Sequence, residues 1–265
     1  MLETLQRRYG TGEWRRVTVG MSYAGVWTDD RVFIKIGPIV GHRDTGFSLR
    51  AEADRATWLR SVGLAAPEVL DYGTDGAAEW MVTRALTGRD ASQPWPAEAR
   101  DRVVDGLAEV AARLHSLPIE GCPFDRGLAV TIPDALHALE NGLVNLVDLD
   151  AERIGMTGPD LAAQLLADRP IDEDLVVCHG DLSIPNVLFD PDTVEFTGFI
   201  DVGRVGTADR HADIGIVTRS LGSDLNPQYH PGGAARFLRR YQDLAPAARI
   251  DAAKIDYYRL LDEFF

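Results

Sequence analysis

Lysine is almost missing from this chain: Lys35 and Lys254 are the only two among 27 basic residues. Cysteine is as scarce, with Cys122 and Cys178 alone, so no disulfide framework is possible and a reducing compartment suits the composition. Neither cysteine stands in a C-x-x-C spacing, which excludes a structural zinc site of that kind. No apolar run approaches the roughly 18 uninterrupted residues of a membrane-spanning helix. The first residues, Met1-Leu-Glu-Thr-Leu-Gln-Arg-Arg, hold no apolar core of a secretory signal. No repeat or low-complexity tract interrupts the sequence. A cytoplasmic protein without a membrane partner is expected.

What is abundant is negative charge. Forty-one acidic residues set the net charge at −14 over 265 residues, which repels nucleic-acid phosphates and makes a cationic partner the natural complement. Solubility alone accounts for such a surface equally well. A hydrophobic fraction of 45% is that of a globular chain with a core.

The patterning changes along the chain. Strand-like runs cover 14–19, 25–27 and 31–36, a glycine-bearing loop spans 37–46, a helix follows over 48–62, and 67–73 and 79–84 read as further strands. Beyond them, helical periodicity covers 96–117, with further helices expected near 132–146, 158–167, 208–221, 233–243 and 252–265. Two short apolar runs, 174–178 and 195–200, lie between and are expected to pair. A sheet-rich front and helix-rich back suggest an α+β protein of two lobes, divided as 1–86 and 87–265.

The strongest chemical signal is His179-Gly-Asp181-Leu-Ser-Ile-Pro-Asn186, followed by a strand and then Asp201-Val-Gly203. Each cluster is delivered into a loop by a short apolar strand, where side chains can converge on a substrate. Asp181, Asn186 and Asp201 supply hard oxygen donors for Mg²⁺ plus one carboxylate beside a reacting hydroxyl. The spacing is that of a kinase catalytic loop and metal loop, with glycine for arginine in the first and Val202 for phenylalanine in the second. The bland alternative is that these residues make turn hydrogen bonds and cap the segments that follow. Lys35, in an apolar strand, matches the lysine that reaches nucleotide phosphates. Glu52 lies beside the apolar stripe Leu49, Ala53, Ala56 and Leu59, poorly placed unless it pairs with that lysine. Gly20-Met21-Ser22-Tyr-Ala-Gly25 fits a phosphate-covering loop with Ser22 in place of the middle glycine. Both lysines lack the glycines of a Walker loop. His115 reads as a helix-end or core histidine, and His211 as a structural residue ordering the loop after Asp201.

On these residues, with Ile200-Asp-Val-Gly-Arg-Val-Gly-Thr-Ala-Asp-Arg210 and the terminal Leu260-Leu-Asp-Glu-Phe-Phe265, the chain resembles the aminoglycoside 3′-phosphotransferases, antibiotic-resistance kinases with a protein-kinase-like bilobal fold. The resemblance implies transfer of the γ-phosphoryl group of a nucleoside triphosphate, ATP or GTP, to an aminoglycoside 3′-hydroxyl with Mg²⁺. It makes Asp181 the catalytic aspartate and Asn186 and Asp201 the metal ligands. Lys35, steadied by Glu52, would grip the phosphates beneath Met21 and Ser22, and Thr83 to Ala85 would border adenine. Arg204, Asp224, Glu263 and Phe265 would meet the aminoglycoside, with Asp148, Asp150 and Glu152 as a third acidic wall. No nucleic acid or obligate protein partner is implied. The alternatives are a kinase of the same fold acting on another small hydroxyl compound, and a binding module that has kept the fold without transfer.

Overall fold

A run that alternates Val32, Ile34 and Ile36 against Phe33 and Lys35 presents two different faces, and it does so as the middle strand of a five-stranded antiparallel sheet. The computed structural model describes residues 1–18 and 23–265, so the expectation for Met21 and Ser22 lies outside the described residues. Contacts divide the chain into one unit of Met1–Gly88 with Thr197–Arg204, and another of Arg89–Phe196 with Val205–Phe265.

The first unit opens with α1 (Leu2–Tyr9), which the strand-dominated front of the sequence did not announce. Its Leu2, Leu5 and Tyr9 share one face and pack on Val32, Ile34 and Val82. The sheet is β1 (Arg15–Val17), β2 (Gly25–Thr28), β3 (Val32–Pro38), β4 (Val69–Thr74) and β5 (Ala78–Arg84), in the order β1-β2-β3-β5-β4. Between β3 and β4 runs α2 (Leu49–Ser61), capped by the Ser48 hydroxyl, which accepts the Ala51 N–H. Leu49, Ala53, Ala56 and Leu59 are its buried stripe, as the spacing required.

The second unit begins with the two-residue β6 (Arg89–Asp90) and α3 (Ala97–His115), whose Val103, Leu107, Val110, Ala111 and Leu114 are buried. Next come α4 (Leu128–Glu140), α5 (Gly158–Ala167), β7 (Leu175–Cys178) and β8 (Val187–Phe189). The helix read near 132–146 thus starts and ends earlier: Pro133 is inside α4, and Asn141-Gly142, with Gly142 at φ +67°, stops it. With β9 (Phe196–Phe199) the chain enters the 197–204 stretch of the first unit, and it returns to the second as β10 (Gly206–Asp209). β7 pairs antiparallel with β10 rather than with the 195–200 run. The first residues of the stretch read as helix 208–221 are therefore strand, and α6 starts at His211 (His211–Gly222). The alternation Val205, Thr207 and Asp209 is too short to outweigh the helical pattern that follows. Last come α7 (Gly233–Leu244) and α8 (Ala252–Asp262). Phe264 then inserts fully buried among Leu161, Leu165, Tyr257 and Leu261. No helix among the described residues is long and apolar enough to cross a membrane.

Candidate active site

Within the first unit, the strand period turns Lys35 to the face of β3 that α2 covers. Its Nζ donates to Glu52 Oε1 at 2.7 Å and to Asp201 Oδ1. The Lys35 and Glu52 side chains are 16% and 12% accessible, whereas Asp201 is half exposed. Burial disfavours the Lys35 ammonium, but the Asp201 and Glu52 carboxylates outweigh it, so its pKa is raised. Burial pushes Glu52 up against the pull of Lys35. The expected Lys35–Glu52 pair is present, and Asp201 joins it.

Asp201 begins a tight turn, Val202–Arg204, and has φ +54°, a left-handed conformation uncommon outside glycine. Arg204 donates its Nε to Asp44 at 2.9 Å inside this unit. Thr83 is buried at the end of β5, and the Ala85 N–H donates to the Arg31 carbonyl at 2.9 Å. One of the backbone groups expected beside adenine is therefore engaged.

In the second unit β7 ends at Cys178 and releases the loop carrying Asp181. The turn is made by Gly180 at φ +81°, where a side chain would be strained. The Asp213 carboxylate on α6 anchors it, accepting the N–H of His179 and of Gly180 at 2.8 Å each. Asn186 closes the other side: its Nδ2 donates to the Asp181 carbonyl at 3.0 Å and to Asp181 Oδ2 at 2.9 Å. The spacing of five residues thus puts carboxylate and amide in direct contact.

Asp213 is itself held. His115, the last residue of α3, approaches its Oδ2 through Nε2 at 3.1 Å and the Tyr241 hydroxyl through Nδ1 at 2.7 Å. Arg210 donates to that hydroxyl at 2.7 Å and to Asp174. His115 is the buried histidine its helix-end position indicated. His211 accepts the Asp251 N–H through Nε2 and bonds the buried Asp209 through Nδ1, so it ties β10 to the start of α8. Burial raises the Cys178 thiol well above its ordinary range, with Asp213 adding to it, so it offers no thiolate for nucleophilic chemistry.

The C-terminal acids form a separate cluster of the same unit. Glu263 Oε1 accepts the Asp150 N–H at 3.0 Å. Arg219 bridges Asp150, at 3.1 Å, and Asp262. Arg153 bonds Asp256 at 2.9 Å and lies 3.8 Å from Glu263. Burial, reinforced by the Asp150 charge, pushes Glu263 up to about 7. The Phe265 ring lies under the Arg126 guanidinium at 5.8 Å. Asp148, Glu152 and Asp224 are exposed, and no hydrogen bond among the described residues joins them to Glu263.

Two supports carry no motif that marks them. Asp213 is one. Glu79, buried on β5, is the other: its carboxylate accepts the Leu49 N–H at 2.8 Å at the start of α2 and the Tyr23 and Tyr72 hydroxyls. An acid at a helix N-terminus is favourable, and this one seats the helix that carries Glu52. An acid interrupting the apolar run Ala78 to Val82 is the one sign of it in the sequence.

The profile of the phosphotransferase enzyme family matches residues 21–257. The aminoglycoside 3′-phosphotransferase of Streptomyces fradiae is 45% identical over 269 residues, covering 99% of this chain and 98% of that one. The crystal structure of an aminoglycoside 3′-phosphotransferase of type VIII superposes with a TM-score of 0.91 at 45% identity, over 100% of this chain and 97% of that one. An aminoglycoside phosphotransferase of Streptomyces rimosus in complex with ADP and streptomycin gives a TM-score of 0.79 at 28% identity, over 99% and 96%.

Proposed function

The chain belongs to the phosphotransferase enzyme family, and we propose that it transfers the γ-phosphoryl group of ATP to the 3′-hydroxyl of an aminoglycoside antibiotic, inactivating it. What supports the reading is that its two working carboxylates, Asp181 and Asp201, stand on loops with independent anchors, Asp213 and Lys35. They do so in a chain whose likeness to a 3′-phosphotransferase runs its whole length.

Phosphoryl transfer asks a protein mainly for positioning and for charge neutralisation. The Lys35 ammonium, kept charged by its two carboxylate neighbours, binds the α- and β-phosphates. Asp181 orients the acceptor hydroxyl and takes its proton as the new P–O bond forms; the bond to the β-phosphate oxygen breaks and ADP leaves. The proton then passes from Asp181 to water. Thr83 and Ala85 border adenine through backbone groups, with the Ala85 N–H exchanging its Arg31 partner.

Asn186 and Asp201 suit Mg²⁺. The Asn186 nitrogen is turned to Asp181, which leaves the oxygen end of the amide directed away, and the Asp201 carboxylate is a second hard oxygen donor. Bound there with the nucleotide, Mg²⁺ would neutralise triphosphate charge. Asp224, the Phe265 α-carboxylate and the Asp148–Glu152 segment attract the drug's ammonium groups, the cationic complement of a −14 chain, while the buried Glu263 holds the Asp150 backbone. The reading places the enzyme in the cytoplasm, alongside ATP.

ADP release coupled to NADH oxidation, with kanamycin and with its 3′-deoxy analogue, tests this. Turnover with kanamycin and none with the analogue is expected, with a 3′-phosphate in the product by ³¹P NMR. Turnover with choline or a macrolide and none with any aminoglycoside would overturn it.

A further inference from the structure

The turn that carries Asp201 is clamped by a residue with no part in the chemistry described so far. Asp44, in the loop between β3 and α2, has a fully buried side chain. A carboxylate there is tolerated only with partners. Its Oδ1 accepts Arg204 Nε at 2.9 Å and the Gly46 N–H at 2.8 Å. The loop is stiffened on its own account: the Asp44 N–H donates to His42 Nδ1 at 3.0 Å, and the His42 ring stacks on Phe47 with centroids 4.0 Å apart.

The two turns also meet backbone to backbone. A Cβ on Gly203 would lie 3.2 Å from the Thr45 carbonyl oxygen and 3.3 Å from the Gly46 Cα. Main-chain atoms cannot swing aside as a flexible side chain can, so the 202–204 turn is seated directly on 45–46. Two residues upstream, Asp201 adopts its left-handed φ of +54°. A non-glycine residue persists in that region only where its surroundings over-determine it. Lys35 holds its side chain, and the Asp44–Arg204 pair with the Gly203 contact holds the chain beyond it.

We propose that Asp44 is a positioning residue for the nucleotide site, holding through Arg204 the backbone turn that aims Asp201 at the metal–nucleotide. This rests on the reading that Asp201 serves Mg²⁺ and nucleotide. It gives Arg204 a role inside the first unit besides the contact with aminoglycoside that the family resemblance implies. Asp44 is fully buried, so its own effect cannot come from touching a drug.

The test is calorimetric binding of ADP to purified Asp44→Ala and Asp44→Asn at increasing Mg²⁺, with ADP alone as internal control. Loss of a partner that orients a metal ligand typically costs about 10–100-fold in metal affinity. The half-saturating Mg²⁺ should rise by that range in Asp44→Ala and by less in Asp44→Asn, which keeps an acceptor, while Mg²⁺-free ADP binding stays within about twofold. In Asp44→Ala combined with Arg204→Met, the Mg²⁺ dependence should be no worse than in Asp44→Ala alone, since partners in one interaction do not add. Unchanged Mg²⁺ dependence in both folded single variants would overturn the proposal. So would equal loss of Mg²⁺-free binding, or losses that add. No aminoglycoside is needed, so a chain that binds Mg²⁺ and ADP yet modifies no aminoglycoside would sink the proposed substrate and still decide this point.

Discussion

Lys35 Nζ and Glu52 Oε1 lie 2.7 Å apart, with both side chains largely buried. The pair sets the direction of the ammonium, because Asp201 pulls on the same nitrogen. Glu52→Gln keeps the shape and removes one charge. A hydrogen bond to a charged group contributes about 1.5–3 kcal/mol, so ATP should bind roughly tenfold more weakly or worse, with aminoglycoside affinity unchanged. Calorimetry with each ligand checks this.

Asp213 faces two backbone donors with two carboxylate oxygens. Asp213→Asn sets an amide donor against one of these N–H groups and leaves it unmet in the interior. An unsatisfied buried group costs about 1–3 kcal/mol. The expected result is a lowered denaturation midpoint and a fall in kcat larger than any change in the KM for ATP, read by chemical denaturation and steady-state kinetics.

Glu263 is held near 7 in the folded chain against an ordinary 4.5. The folded state therefore keeps this proton where the unfolded state has lost it. From this group, stability is greatest below about 4.5 and falls as pH rises towards 7, then levels. Glu263→Gln should flatten that part of the profile, measured as Tm from pH 4 to 8. An unaltered slope would show that the carboxyl does not titrate there.

Removing Phe265 alone shifts the terminal carboxylate while leaving Phe264, which is fully buried, in the core. We expect a higher KM for kanamycin with little change in Tm or in ADP binding. Cutting back to Asp262 should in addition destabilise the second unit through loss of the Phe264 ring.

Much of this was legible in the residues. Glu52, misplaced beside a helical stripe, needed a cation, and the lysine in the apolar strand was that cation. The five-residue interval from Asp181 to Asn186 carried its own geometry. The supports were not legible, because Asp213, Glu79 and Asp44 act through backbone N–H groups or a distant arginine, contacts that leave no periodicity or spacing. Helix α1 was visible only as Leu2, Leu5 and Tyr9, three positions in an otherwise polar stretch. The β7–β10 pairing was hidden because four residues of strand run straight into α6.

The most direct measurement is kcat for Asp181→Ala with saturating ATP, Mg²⁺ and kanamycin, beside calorimetric affinity for the drug. A positioned general base contributes about 10²–10⁴-fold, so kcat should fall by that much while kanamycin binds as before. Near-normal turnover in this variant would contradict the assignment of Asp181 as the group that receives the hydroxyl proton.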